Sequence, residues 1–128
     1  MRYNRLRLAE VAGAPSQLTA TGLYGLIGHM ARAALLLDFK ATQGELLVQM
    51  VLWKLPRPTK DRPHGLKYRL YIGRAGRTLV RYDNEVGKGN HRHVGSDEVQ
   101  EPYDFSSAEK LLSDFREECT RLGWRWSE

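Results

Sequence analysis

Lys67-Tyr68-Arg69-Leu70-Tyr71-Ile72-Gly73-Arg74-Ala75-Gly76-Arg77-Thr78-Leu79-Val80-Arg81-Tyr82-Asp83 is the stretch whose reading decides the fold. Residues 67–72 and 77–83 each alternate along an extended backbone, and Gly73-Arg74-Ala75-Gly76 separates them. Two alternating runs around a short glycine-bearing connection are the signature of a β-hairpin. Upstream, residues 33–40 and 45–55 read as two more strands joined by Thr42-Gln43-Gly44. In the second of these, Leu46, Val48, Met50 and Leu52 share one face, and Leu47, Gln49, Val51 and Trp53 share the other. Both faces are largely apolar, which predicts a central strand covered on both sides, with Trp53 in the core. Pro56 and Pro58 end it, and the polar run to Gly65 is a loop. Downstream, residues 91–95 suggest a fifth, short strand.

Residues 106–122 read as the helix. Ser106 and Glu109 have capping-box spacing, and Leu111, Leu112, Phe115, Cys119 and Leu122 make one apolar stripe. Gly123 stands where a left-handed cap would end it. Trp124 and Trp126 follow and are expected to fold back on the sheet. The fold class is therefore α+β: a curved antiparallel sheet of four or five strands with one C-terminal amphipathic helix packed on one face.

A chain of 128 residues is about one domain. No stretch approaches the roughly 20 apolar residues of a membrane helix. The single cysteine, Cys119, excludes an internal disulfide framework and reads as a small buried hydrophobe. A reducing, cytoplasmic setting fits. The net charge of +5 is unevenly spread: residues 53–95 hold eleven Lys or Arg against three acids, and residues 96–128 hold four against nine. The basic middle suits a polyanion, whereas Glu117 and Glu118 on the acidic helix suggest a docking surface for a basic partner. A solvated surface whose halves partly neutralise each other is the competing reading. Residues 1–29 are interrupted by glycines and form an N-terminal extension, either disordered or upstream of a start at Met30. Alternatively, residues 18–27 form a short helix on the domain. Residues 30–128 are the single α+β domain.

The chemistry concentrates in Arg81-Tyr82-Asp83-Asn84-Glu85-Val86-Gly87-Lys88-Gly89-Asn90-His91-Arg92-His93. On a strand, His91 and His93 point to one face and Arg92 to the other. Imidazole titrates near neutrality, so a same-face pair can act as acid and base, with Asp83 and Glu85 beside it. Lys88, Arg92, Arg81 and Arg69 are the candidate RNA or phosphate ligands, and Gly87 and Gly89 permit a positive φ. Two alternatives stay open. One is a divalent metal at Asp83, Glu85, His91 and His93, which lacks a third histidine and a cysteine pair. The other is a structural role for both imidazoles. Tyr68 and Tyr71, alternating with Lys67 and Arg69, can stack bases, although aromatics are common on strands. His64, in the proline-rich loop, reads as a solvated residue.

Tyr82-Asp83-Asn84-Glu85-x-Gly87-Lys88-Gly89-x-His91-Arg92-His93, then Glu101-Pro102-Tyr103-x-Phe105 and Leu111-Leu112-x-Asp114-Phe115, resembles the TumE-like toxins of bacterial type II toxin–antitoxin systems. Trp53-x-Leu55-Pro56 and Lys67-Tyr68-Arg69-Leu70 share the resemblance, which spans about residues 33–122. It implies a small cytoplasmic toxin paired with an antitoxin protein that usually carries a helix-turn-helix. Joined to the residue reading, the expected activity is ribonuclease action on cellular RNA through the His-x-His pair, without a required metal or cofactor. The contrasting expectation is a non-catalytic module that binds nucleic acid or protein.

Overall fold

A computed structural model describes residues 2–3 and 32–127; the helix expected over residues 18–27 and nearly all of the N-terminal extension lie outside them. The strands are β1 (Arg2–Tyr3), β2 (Ala34–Gln43), β3 (Leu46–Lys54), β4 (Leu66–Arg74), β5 (Arg77–Asp83), β6 (His91–Val94) and β7 (Val99–Pro102), followed by helix α1 (Ala108–Arg121). They form one curved, unclosed antiparallel sheet whose spatial order is the chain order. The α+β expectation holds, but the sheet has more strands than expected. Two of them were hard to see: Arg2–Tyr3 is two residues long, and Val99–Pro102 is exposed throughout, so neither carries an apolar alternation.

The hairpin turn is tighter than the sequence suggested. Strands β4 and β5 run to Arg74 and from Arg77, leaving Ala75 and Gly76 as the two turn residues, at φ of 46° and 80°. Two consecutive positive φ values match the right-handed twist of the flanking strands, at a steric cost for Ala75 of about 1–2 kcal/mol. Gly73 lies inside β4, at a register shift. A Cβ there would sit 2.1 Å from the Tyr71 hydroxyl oxygen and 2.8 Å from the Arg77 carbonyl, so only glycine fits.

One sheet face is buried. Phe39, Val48, Met50, Leu70, Ile72 and Tyr82 meet Leu111, Phe115 and Cys119 of α1, and Tyr82 packs edge-on to Phe115 at 5.9 Å. Each such fully buried side chain contributes about 1.5–3 kcal/mol. The opposite face of β3 (Leu47, Gln49, Val51, Trp53) is only half-buried, so the expectation of a doubly covered strand with Trp53 in the core is corrected. The cap of α1 is Ser107, one residue later than expected. Its extended backbone aims Oγ at the Lys110 N–H (3.0 Å), and a lysine there offers no acceptor to close a capping box. Gly123, at φ 106°, ends the helix as expected. Trp124 is buried, and Trp126 packs against Phe39 with Arg116 over its ring.

Beyond the end of β5, the ladder is continued by a side chain. Asn84 Oδ1 accepts from the Tyr68 N–H (3.0 Å), and its Nδ2 donates to the Leu66 carbonyl (2.8 Å). The Asn84 carbonyl in turn receives the Arg62 guanidinium, so the proline-rich loop is fastened to the sheet. Asn84 is 2% exposed, and removing its amide strands a buried donor and a buried acceptor. Asn84→Ala should lower Tm by on the order of 10 °C, from a loss of about 2–4 kcal/mol. Thermal unfolding checks this; a shift of only a degree or two would show that the amide does not hold the end of the sheet.

Candidate functional site

Alternation and register determine what the other sheet face displays. Arg69 on β4 is directly across from Asp83 on β5, and Asp83 is directly across from His91 on β6. The neighbouring row runs Gln49, Tyr71, Arg81, His93 and Gln100 across β3 to β7. Trp53 and Lys67 start a third row on β3 and β4. Three strands, β4 to β6, thus bring Arg69, Arg81, Asp83, His91 and His93 onto the face opposite α1.

Asp83 ties the group together. Its Oδ1 lies 3.3 Å from His93 Nε2, and its Oδ2 accepts from Arg81 Nε at 2.9 Å. Arg81 also donates to Glu98 Oε1 (2.8 Å), whose other oxygen accepts from Thr78 Oγ1 (2.7 Å). Burial works against the Arg81 charge, but Glu98 and Asp83 more than offset it, so the guanidinium holds its proton more firmly than usual. Arg81 therefore organises carboxylates. His93 is 8% exposed and His91 half-exposed, with ring centroids 6.2 Å apart.

The remaining candidates go elsewhere. Glu85 and Lys88 pair with each other at 3.2 Å in an exposed turn, closed by Lys88 N–H to the Glu85 carbonyl, with Gly87 and Gly89 at the expected positive φ. Arg92 points to the helix side, bonded to Glu101 and, through two nitrogens, to Glu118. Glu118 also accepts from the Tyr82 hydroxyl (2.9 Å) and is 9% exposed. Its expected availability for docking is corrected: it is a buried counter-ion. The Arg92–Glu118, Arg92–Glu101 and Arg81–Glu98 pairs also show the basic middle and the acidic end neutralising each other in part. Among the described residues, no three His, Cys, Asp or Glu side chains converge on a point that could hold a metal ion.

Sequence reasoning missed Glu98 and misjudged His64. Glu98 follows Gly95 in the β6–β7 turn at φ 48°, a geometry that no spacing rule reveals. His64 is packed rather than solvated: its ring lies 4.0 Å from Phe105, its Nδ1 accepts from the Leu66 N–H, and its Nε2 faces Asn90 Oδ1 at 3.3 Å. Burial, partly opposed by Asn90, holds His64 below its ordinary pKa. Cys119 is buried in the helix stripe, as expected, and burial pushes its thiol far up.

Among the described residues, a meandering sheet with one helix on one face and an ionisable cluster on the other defines a small α+β protein with a polar outer face. The sequence profile described as Toxin TumE matches residues 29–122, most of the chain, and the chain belongs to that family. It is accordingly a toxin of a toxin–antitoxin system, with an antitoxin as partner. No curated protein and no solved structure matches it. Among the described residues, no helix is long and apolar enough to cross a membrane.

The Glu98 carboxyl is held below its usual value of 4.5 by Thr78 Oγ1 and the Arg81 guanidinium. A depressed folded pKa stabilises the fold above the unfolded value, and that stabilisation is lost as pH falls through the folded one. Glu98→Gln should therefore be less stable than wild type above pH 5, and the two Tm curves should converge as pH drops below 4.5. Parallel curves down to acid would show that the carboxylate has no such role.

Proposed function

We propose that the toxin is a metal-independent ribonuclease in which His91 and His93 transfer protons. The observation that carries this reading is the Asp83–His93 contact at 3.3 Å, on the same face as His91 and opposite Arg69. With Nε2–H directed at the carboxylate, the neutral His93 ring has Nδ1 as its basic nitrogen. His93 takes the proton of a ribose 2′-hydroxyl, and the 2′-oxygen attacks the adjacent phosphorus. The bond to the 5′-oxygen breaks as His91 gives that oxygen its proton, leaving a 2′,3′-cyclic phosphate and a 5′-hydroxyl. Arg69 meets the charge on the phosphorane. Lys88 steers the polyanion from its exposed turn, Glu85 sets the charge of that turn, and Arg92 shapes β6 from the other side. The antitoxin partner is proposed to be a helix-turn-helix protein, and the setting cytoplasmic.

The second reading, a non-catalytic binding face, is favoured by the burial of His93, since a ring 8% exposed and bonded to a carboxylate also suits a structural post. Kinetics separates the two. His91→Asn and His93→Asn should each cut RNA cleavage by about 10²–10⁴-fold, and wild type should show a bell-shaped pH–rate profile that persists in EDTA. A 2′-deoxy nucleotide at the scissile position should block cleavage. If both variants keep wild-type cleavage and toxicity, the proton-transfer reading is wrong and the binding face is the better account.

A further inference from the structure

The outer face extends beyond the ionisable cluster onto β3 and β4. Trp53 is half-exposed on β3, and its cross-strand neighbour is the exposed Lys67. Tyr71 is half-exposed on β4, where its phenol leans along the strand over Gly73. The Arg69 guanidinium lies over the Tyr71 ring at 5.2 Å from its centroid. Lys67 and Arg69 have no carboxylate within ion-pair distance among the described residues, unlike Arg81 and Arg92. Two aromatic surfaces thus alternate with two exposed cations on adjacent strands. Strands lie about 4.8 Å apart, so Tyr71 is about 10 Å from His93, which is two strands away in the same row.

We propose that Trp53, Lys67, Arg69 and Tyr71 form a single-stranded RNA platform that feeds the His91–His93 pair. The inference rests on the ribonuclease reading for its destination, but the platform is argued from its own chemistry. An aromatic side chain on an open sheet offers its π-face to any unpaired base and is tolerant of sequence, and an arginine over the ring adds a cation–π component. Lysine and arginine between the rings match the phosphates of the same strand. A duplex cannot use this surface in that way, because its base faces are stacked inside and it is recognised by shape and backbone. Gly73 bears on the same point: its missing side chain leaves the room that the Tyr71 phenol occupies.

Binding is measured with the His91→Asn/His93→Asn protein, which keeps the platform intact. The probe is a labelled 12-nucleotide RNA of mixed sequence, offered single-stranded and then annealed to its complement. Single-stranded RNA should bind at least tenfold more tightly than the duplex. Trp53→Ala and Tyr71→Ala should each weaken it by about tenfold, Trp53→Phe should restore most of the loss, and Lys67→Ala/Arg69→Ala should flatten the salt dependence. In the wild-type background, the two aromatic variants should raise KM for single-stranded RNA with kcat within about threefold, and unchanged circular dichroism and Tm confirm the fold. Equal affinity for duplex, or aromatic variants that bind like wild type, would overturn the platform. Full platform behaviour combined with undiminished cleavage by the histidine variants would leave the platform standing and remove the catalytic reading alone. Loss of antitoxin binding in Trp53→Ala, with RNA affinity unchanged, would make the face a protein interface and overturn the proposal.

Discussion

The two-residue repeat of the β-strand is the constraint on which the rest depends. Once Leu70, Ile72, Val80 and Tyr82 are committed to Leu111 and Phe115 of the helix, their chain neighbours have no choice of side. Arg69, Tyr71, Arg81 and Asp83 must face outward. Register then carries the same rule across the sheet, so His91 and His93 join Asp83 while Arg92 between them is turned toward the helix. A slip of one residue in β6 would exchange the imidazoles for the guanidinium. The Arg92–Glu118 pair, supported by the Tyr82 hydroxyl, opposes that slip, because an unpaired Glu118 carboxylate would be left buried. The outward ionisable face and the buried ion pair are two consequences of one register.

This explains what could be read in the sequence. The strands of the hairpin, the apolar face of β3 and the stripe of the helix all advertise themselves by period, and all are present in the fold. The same-face relation of His91 and His93 follows from spacing alone. What spacing cannot supply is the identity of cross-strand neighbours. Glu85 is as close to His91 in sequence as many real partners would be, yet the 85–88 turn carries it out to Lys88, while Glu98, from the following turn, reaches back to Arg81. Asn84 was equally opaque, because a side-chain amide standing in for a backbone ladder has no periodic signature. His64 looked solvated because its loop is polar, but the loop folds back through Arg62 and places the ring on Phe105.

The charge asymmetry of the chain also resolves into two different uses. Part of it is internal, with cations of the middle segment paired to acids of the last third. Another part, Lys67 and Arg69 on β4, is displayed on the outer face beside Trp53 and Tyr71. Net charge thus overstated the free positive charge of the segment as a whole.

The central claim is that the face opposite the helix is the one that works, with Asp83, His91 and His93 at its centre. Side-chain nitrogen NMR with a non-cleavable 2′-deoxy oligonucleotide tests it most directly. The account predicts that the His91 and His93 imidazole resonances shift on binding while Arg92 Nε, held by Glu118 on the other side, does not. A shift of Arg92 Nε with both imidazoles unmoved would contradict it.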